Sequence, residues 1–284
     1  MRSAYTVITD RIVKLLEAGT VPWHRPWGGP EHHPRNLVSG KQYRGVNVFL
    51  LSAAGYGAPY WLTFKQARDR DGHVKKGERG HPCVFWKWLE RENTDTGETE
   101  QHPFLKNYTV FNVKQCDGIE YPSPTSEPRT FSPIIRCEDV VASMPRGPSI
   151  HHCGRRACYQ PSNDEVHMPE RERFDRSEGY YSTLFHELVH STGHPSRLGR
   201  TGITETITFG SRTYSKEELI AEMGATFLCG HTGIENAVID NSASYLASWL
   251  GRLRNDSRLI VQAAAESQKA VDYVLDQREE NKVS

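Results

Sequence analysis

Residues 177–190 predict a helix that carries a chemical motif on one face and an apolar stripe on another. The apolar residues recur at i, i+3, i+4 and i+7, and they are Tyr181, Leu184, Phe185 and Leu188. The motif is His-Glu-x-x-His, formed by His186, Glu187 and His190. Because residues four apart on a helix share a face, both histidines project from the same side, away from the stripe. The fold must therefore bury one side of this helix and hold two imidazoles together on the other.

Two imidazoles one helical turn apart can hold one metal ion. We expect Zn²⁺, with another divalent transition metal as the alternative. Glu187, beside the first histidine, can take a proton from a water molecule that the metal activates. This motif also arises by chance on amphipathic helices, but here a short strand predicted in "EVHMP" (165–169) precedes the helix, as in zinc peptidases. The sequence therefore favours a site for one metal ion at His186 and His190, with Glu187 as the catalytic residue.

The third protein ligand is ambiguous. His194 is one more step of four along the chain, but three histidines in line on a helix do not converge on one point. A break at Gly193 could turn His194 back toward the site. The metzincin pattern fails, because its third ligand would fall at position 196, which is a serine. The third ligand is therefore sought on another element.

The next predicted helix, "SKEELIAEMGATFLCG", offers acidic candidates. Glu218, followed by Ala221 and Glu222, resembles the gluzincin arrangement, in which the first acid binds the metal and the second orients a histidine. Glu218 also fits a capping box with Ser215, and Glu222 also fits a solvated surface position. We favour Glu218 as the third ligand and Glu222 as the orienting acid, with His194 and Glu217 as the alternatives.

A proline-rich segment, "YPSPTSEPRTFSP" (121–133), predicts a linker between two domains. Residues 1–120 combine predicted helices with the strands "HPCVFWKWLE" and "KNYTVFNVKQ", joined by a polar hairpin connection. Residues 134–284 are mainly helical around two short strands. The predicted fold class is α+β, with an N-terminal α+β nucleic-acid-binding domain and a C-terminal zincin-like domain of the gluzincin type.

The N-terminal half is basic and rich in tryptophan. Residues 1–88 contain 14 Lys/Arg and 6 Asp/Glu, a net charge of +8, although the whole chain is neutral. Because unpaired bases stack on aromatic rings while cations follow phosphates, we expect single-stranded DNA as the partner. Trp61 and Phe85 are expected to help build the domain core. The candidate contacts are Trp23, Arg25, Trp27, Tyr43, Arg44, Lys65, Lys75, Lys76 and Arg79.

The six cysteines form no regular framework, which indicates reduced thiols and a cytoplasmic protein. No apolar run approaches the ~18 residues of a membrane span. The stretch "HHCGRRAC" (151–158) is interpreted as a loop leading into a strand, since its Cys-x4-Cys spacing fits no common zinc knuckle.

Stretches along nearly the whole chain, in order, resemble the ArdC family of plasmid antirestriction proteins, which also form the N-terminal part of some plasmid TraC primases. They include "VITDRIVKLLEAGTVPWHRPW", "YRGVNVFLL", "PYWLTFKQA", "VKKGERG", "YTVFNVKQCDG", "MPERERF", "YYSTLFHELVHSTGHPSRLGR", "KEELIAEMGATFLCG" and "QKAVDYVL". The region 134–158 matches less well.

The resemblance implies a single-stranded DNA-binding domain, a zincin-like metallopeptidase domain and protection of incoming plasmid DNA from host restriction. By position, it implies His186, His190 and Glu218 as metal ligands and Glu187 as the catalytic acid. Two alternatives stay open, namely a DNA-recruited protease that cleaves DNA-bound proteins and a binding protein with a structural metal. Tyr214 or His194 could donate to the oxyanion in a peptidase reaction. A protein substrate or a restriction component is a further possible partner.

Overall fold

The structure is a computed structural model that describes residues 3–22, 32–92, 99–122, 133–204, 212–234 and 243–277. Its helices are α1 (Ala4–Glu17), α2 (Val46–Ser52), α3 (Phe64–Arg68), α4 (Pro133–Ser143), α5 (Ser177–Ser191), α6 (Thr201–Thr204), α7 (Arg212–Thr232), α8 (Ala243–Asn255) and α9 (Leu259–Val274). Its strands are β1 (Arg35–Asn36), β2 (Tyr60–Leu62), β3 (His73–Val74), β4 (His81–Glu92), β5 (Thr99–Asn112), β6 (Cys116–Asp117), β7 (Ser149–His152), β8 (Cys158–Gln160) and β9 (Glu165–Met168). The predicted α+β class is confirmed.

The first helices begin and end where local chemistry predicts. Ser3 caps α1 by accepting a hydrogen bond from the Thr6 amide at 3.1 Å, and Gly19 follows the helix at a φ of +74°. Thr63 caps α3 in a reciprocal capping box with Gln66. These local polar contacts determine where both helices begin.

The N-terminal half is organised around the long hairpin of β4 and β5. Within the described residues, one sheet has the strand order β1-β2-β5-β4, and β3 pairs separately with β6. Strand β4 lies at the edge of its sheet, and Asn47 of α2 covers that edge. The Asn47 amide donates to the Val84 carbonyl and accepts from the Val84 N–H, both at 2.8 Å. Helix α2 is thereby fixed against the hairpin through backbone groups that an edge strand would otherwise expose.

A smaller sheet precedes the motif helix, with the order β7-β9-β8. Strands β8 and β9 were predicted, whereas β7 was not. The interpretation of "HHCGRRAC" as a loop was wrong for its first two residues, because His151 and His152 pair in parallel with His167 and Met168. Polar side chains hid this strand, since its residues are mostly exposed and show no apolar alternation.

The two halves share one continuous core. Ile8, Ile12 and Phe49 pack into the same cluster of buried residues as Leu184 and Phe227. The Phe49 and Phe227 rings stack with their centroids 4.7 Å apart. Most of the predicted linker, residues 123–132, lies outside the described residues, and the predicted domain boundaries stay a prediction. None of the described helices has the length and apolar character that crossing a membrane requires.

Candidate metal centre and nucleic-acid interface

Helix α5 carries the motif as predicted. The four residues of its apolar stripe are at most 2% exposed, which fixes the rotation of the helix against the core. His190 and Glu187 are also largely buried, at 9% and 8% exposure. The helix ends at Ser191, so the motif occupies its last two turns.

Helix α7 approaches α5 closely because both helices present small or compact residues at the crossing. A Cβ added to Gly224 would lie 2.7 Å from Cγ2 of Val189, closer than real side chains pack. Glycine at this position therefore sets the distance between the two helices. Glu217 and Glu218 lie on α7 two turns before this crossing, facing the motif.

Three donor atoms converge between the helices. Nε2 of His186 and Nε2 of His190 are 3.1 Å apart, and each lies 3.7 Å from an oxygen of Glu218. Tetrahedral ligands about 2.0–2.1 Å from a zinc ion lie about 3.3 Å from one another. His186, His190 and Glu218 are the group that could hold a metal ion among the described residues. The arrangement fits one small divalent cation without moving either helix.

Behind this group lies an ion pair that the sequence did not reveal. Nδ1 of His190 donates a hydrogen bond to the Glu217 carboxylate at 3.3 Å. Arg200 donates two hydrogen bonds to the same carboxylate, from Nε at 3.0 Å and from Nη2 at 2.6 Å. Arg200 also donates to the Val189 carbonyl at 2.7 Å. Glu217 and Arg200 are buried, at 4% and 7% exposure. The pair orients His190 so that its Nε2 faces the other two donors.

Burial and charge act in opposite directions at this site. Burial lowers the pKa of His190, but the hydrogen bond to Glu217 and the charges of Glu217, Glu187 and Glu218 outweigh it and raise that pKa. Burial likewise raises the pKa of Glu217, but hydrogen bonds from His190 and Arg200 and their charges bring it down to about 2. Glu217 is therefore a carboxylate at neutral pH.

Two sequence alternatives for the third ligand take other roles. Glu217 points to Nδ1 of His190, away from the two Nε2 atoms. His194 follows the end of α5 in a turn, where its Nδ1 contacts the Ser196 hydroxyl at 2.8 Å and accepts from the Ser196 amide at 3.2 Å. The contact predicted for Glu222 is made by Glu217, so an orienting role for Glu222 stays a prediction. The Tyr214 side chain lies outside the described residues.

Strand β8 borders the site. It is an edge strand, and it packs against α5. Burial raises the pKa of the Cys158 thiol on this strand, and the charge of nearby Glu187 raises it further. Cys153, beyond β7, has its sulfur 3.4 Å from Nδ1 of His167. All six cysteines are free thiols.

The predicted nucleic-acid contacts fall into three groups. Lys65, Lys75, Lys76 and Arg79 are exposed. Lys75 also donates to the Lys114 carbonyl at 3.1 Å and lies 3.7 Å from Asp117. Trp23, Arg25 and Trp27 lie outside the described residues. Tyr43 is buried, and Arg44 is exposed but ion-paired.

Tyr43 corrects the sequence interpretation, whereas Arg44 has an ion-pair partner within the chain. Tyr43 is 7% exposed in a buried cluster with Trp61 and Cys83, so its ring has no free face for a base. Arg44 forms an ion pair with the buried Asp272 of α9, and thus joins the two halves of the chain. Tyr43 follows a basic pattern in sequence, but tertiary packing buries it. The Arg44 side chain stays 51% exposed, and its role as a DNA contact stays a prediction.

Of the two aromatic residues expected in the core, one is exposed. Trp61 is 2% exposed, as predicted, whereas Phe85 is 54% exposed and the core prediction for it was wrong. Phe64, at the start of α3 beside Lys65, is 56% exposed. These two rings are the large aromatic residues that the described surface offers most openly.

Two protein families match the chain. The N-terminal domain of the anti-restriction factor ArdC matches residues 2–111, and a zincin-like metallopeptidase family matches residues 137–266. A DNA primase TraC of Escherichia coli is 37% identical over 290 residues, which cover 94% of this chain but 26% of the primase. The chain thus spans about a quarter of the length of that relative.

Two crystal structures of the antirestriction ArdC protein from the R388 plasmid are similar to this chain over nearly its whole length. The metal-free structure has a TM-score of 0.76 at 40% identity, covering 96% of this chain and 97% of that one. The Mn(II)-bound structure has a TM-score of 0.76 at 37% identity, covering 99% and 100%.

Proposed function

Because the chain belongs to the ArdC family of antirestriction proteins, we propose that it binds single-stranded DNA and protects incoming plasmid DNA from host restriction. The observation that supports this most is the match to the R388 antirestriction protein over nearly the full length of both chains. In this proposal residues 1–120 bind DNA, residues 121–133 link the halves, and residues 134–284 form the metallopeptidase-like part. The six free thiols of the chain are consistent with a reducing cytoplasm.

The basic N-terminal half supplies the electrostatic part of DNA binding. The exposed Lys65, Lys75, Lys76 and Arg79 can neutralise phosphates, which releases counterions and makes the affinity depend on salt. Phe64 and Phe85 offer exposed rings on which unpaired bases can stack. This combination suits a flexible single strand better than a duplex, whose bases are already stacked.

We further propose that His186, His190 and Glu218 hold one divalent metal ion. Two imidazole nitrogens and one carboxylate suit Zn²⁺, which we expect as the native ion, and they also accept other divalent transition metals. The R388 relative has been crystallised with Mn(II). Glu217 and Arg200 would hold His190 ready for the ion.

Glu187 would provide the acid–base chemistry of a peptidase reaction. When bound, the metal would polarise a carbonyl group and lower the pKa of a water molecule. Glu187 would accept the proton of the attacking water and pass it to the leaving amine. A peptide extended along β8, an edge strand among the described residues, would lie beside α5, and backbone hydrogen bonds to that edge would position it.

The presence of Glu187 beside the ligand group favours a second candidate, a metalloprotease that DNA recruits to proteins bound on it. A binding protein with a structural metal would not need this residue. Glu187→Gln separates the possibilities, since it keeps the size of the side chain and removes the base. Restriction of incoming DNA is measured in cells carrying wild type or variant, with metal content and DNA affinity of each purified protein.

Loss of protection in Glu187→Gln, with normal metal and DNA binding, would support proteolysis as part of protection. Full protection by the variant would support the structural-metal alternative. If the wild type gives no protection, the antirestriction proposal fails for this chain.

A further inference from the structure

A polar groove lies between α1, the loop before β2 and the turn that leads into β4. It has a volume of about 440 Å³. Its lining includes Arg11, Tyr56, Arg79, His81 and Gln115. Of these residues, only Arg79 was predicted from the sequence as a DNA contact. The groove thus brings together residues from four separate parts of the N-terminal half.

Two guanidinium groups line this groove without a carboxylate partner among the described residues. Arg11 is half-buried on α1, and Arg79 is exposed on the turn. The acid of the lining, Glu78, accepts a hydrogen bond at 2.8 Å from the amide of Gln115. Guanidinium groups that line one groove are suited to phosphate oxygens, which they contact with planar, charge-assisted hydrogen bonds.

An aromatic ring is held in place beside the two guanidinium groups. Tyr56 packs edge-to-face against Trp61, with centroids 5.6 Å apart, and against His81, with centroids 5.7 Å apart. Trp61 is buried, while Tyr56 is partly exposed. A ring fixed on two sides loses little conformational entropy when a base stacks on it.

Two glycines and the hydrogen bonds of Gln115 shape the turn that forms one wall. Gly77 has a φ of +90°, which other residues rarely adopt, and a Cβ at Gly80 would lie 2.1 Å from Cγ2 of Thr109. The buried Gln115 donates to the Arg79 carbonyl at 3.0 Å as well as to Glu78. The wall therefore has its shape before any ligand binds.

We propose that this groove binds one nucleotide unit of single-stranded DNA, with Arg11 and Arg79 on its phosphates and Tyr56 against its base. The inference rests on the proposed DNA-binding function and names where the strand is held. Lys75 and Lys76, next to the turn, would extend the positive surface along the bound DNA.

The test uses the full chain and a short fluorescein-labelled oligothymidylate, with binding measured by fluorescence anisotropy over a salt series. Arg11→Ala and Arg79→Ala should each reduce the slope of log affinity against log salt by about 0.7, the value for one phosphate of a single strand. Tyr56→Leu should weaken binding about tenfold at an unchanged salt slope, while Tyr56→Phe restores it. Arg155→Ala removes the same charge from an exposed loop of the other half and should change neither quantity.

A strand that carries 5-iodouracil adds a measurement that depends little on stability. Irradiation should link it to the peptide containing Tyr56, and mass spectrometry identifies that peptide. If the wild type binds DNA but the Arg11, Arg79 and Tyr56 variants keep its affinity and slope, the groove proposal is overturned while DNA binding stands. If the wild type does not bind the oligonucleotide at all, both proposals fall.

Discussion

At the scale of single residues, the orientation of His190 depends on a buried carboxylate that binds no metal itself. We expect Glu217→Gln to weaken metal affinity about 10–100-fold, because a neutral amide holds the imidazole less firmly than a carboxylate does. A competition titration against a coloured chelator measures this effect.

The matched control is Glu222→Gln, on the same helix and at the position that the sequence pattern assigned to this role. We expect its metal affinity to stay at the wild-type value. The opposite result, with weak metal binding in Glu222→Gln and unchanged binding in Glu217→Gln, would support Glu222 as the orienting acid and leave Glu217 a structural role only.

Arg200 is the counter-charge that makes the buried Glu217 tolerable. Arg200→Leu leaves a carboxylate in the interior facing one histidine, and breaking a buried pair in this way costs about 3–5 kcal/mol. We expect a corresponding fall in the free energy of unfolding, measured by urea denaturation of the metal-free protein. A loss below about 1 kcal/mol, as for exposed pairs, would contradict the burial of this ion pair.

At the scale of elements, the donor atoms of His186, His190 and Glu218 come together because α5 and α7 pack at close range. Gly224→Ala would place a methyl group against Val189, whose branched side chain has little rotamer freedom on a helix. Overpacking of this kind costs about 1–3 kcal/mol, and it should also weaken metal binding by moving Glu218 away from the histidines.

Gly251→Ala on α8 is the control for that substitution, since nothing lies within 4 Å of the added Cβ. It should stabilise the protein by about 0.5–1 kcal/mol, because alanine favours the helix over the unfolded chain. Thermal unfolding of both variants shows whether each substitution stabilises or destabilises the protein. Stabilisation by both would mean that helix propensity, and not the α5–α7 contact, governs Gly224.

The same elements show what the sequence could and could not predict. Helix α5 was predictable because its apolar stripe and its two motif histidines both follow the helical period. Glu218 was predictable because a third ligand was needed from another element and the next helix offered an acid. The sequence favoured Glu218 over Glu217 as a ligand, but it could not show that Glu217 contacts Nδ1 of His190, because that contact depends on tertiary packing. Tyr43 and β7 escaped prediction because tertiary neighbours, and not local patterns, determine their environments.

At the scale of the whole molecule, the two halves are joined by burial and by polar contacts. Thr9 donates to the Ser257 carbonyl at 2.7 Å, the Gly45 amide donates to Gln268 at 3.2 Å, and Arg44 pairs with Asp272. Cutting the chain after residue 120 would expose the apolar faces of α1 and α2. We therefore expect the full chain to unfold as one unit, although different protein families match its two halves.

Metal binding tests this unity, because an ion held by α5 and α7 should stabilise the distant α1 as much as its own helices. At a free metal concentration 100 times the dissociation constant, binding to the folded state adds about 2.7 kcal/mol. Calorimetry should then show one transition that shifts upward as a whole, and hydrogen exchange should show equal added protection for the slowest amides of α1 and α5. His186→Ala should abolish both effects. A second transition that ignores the metal, with α1 amides unchanged, would instead establish that the N-terminal half folds independently.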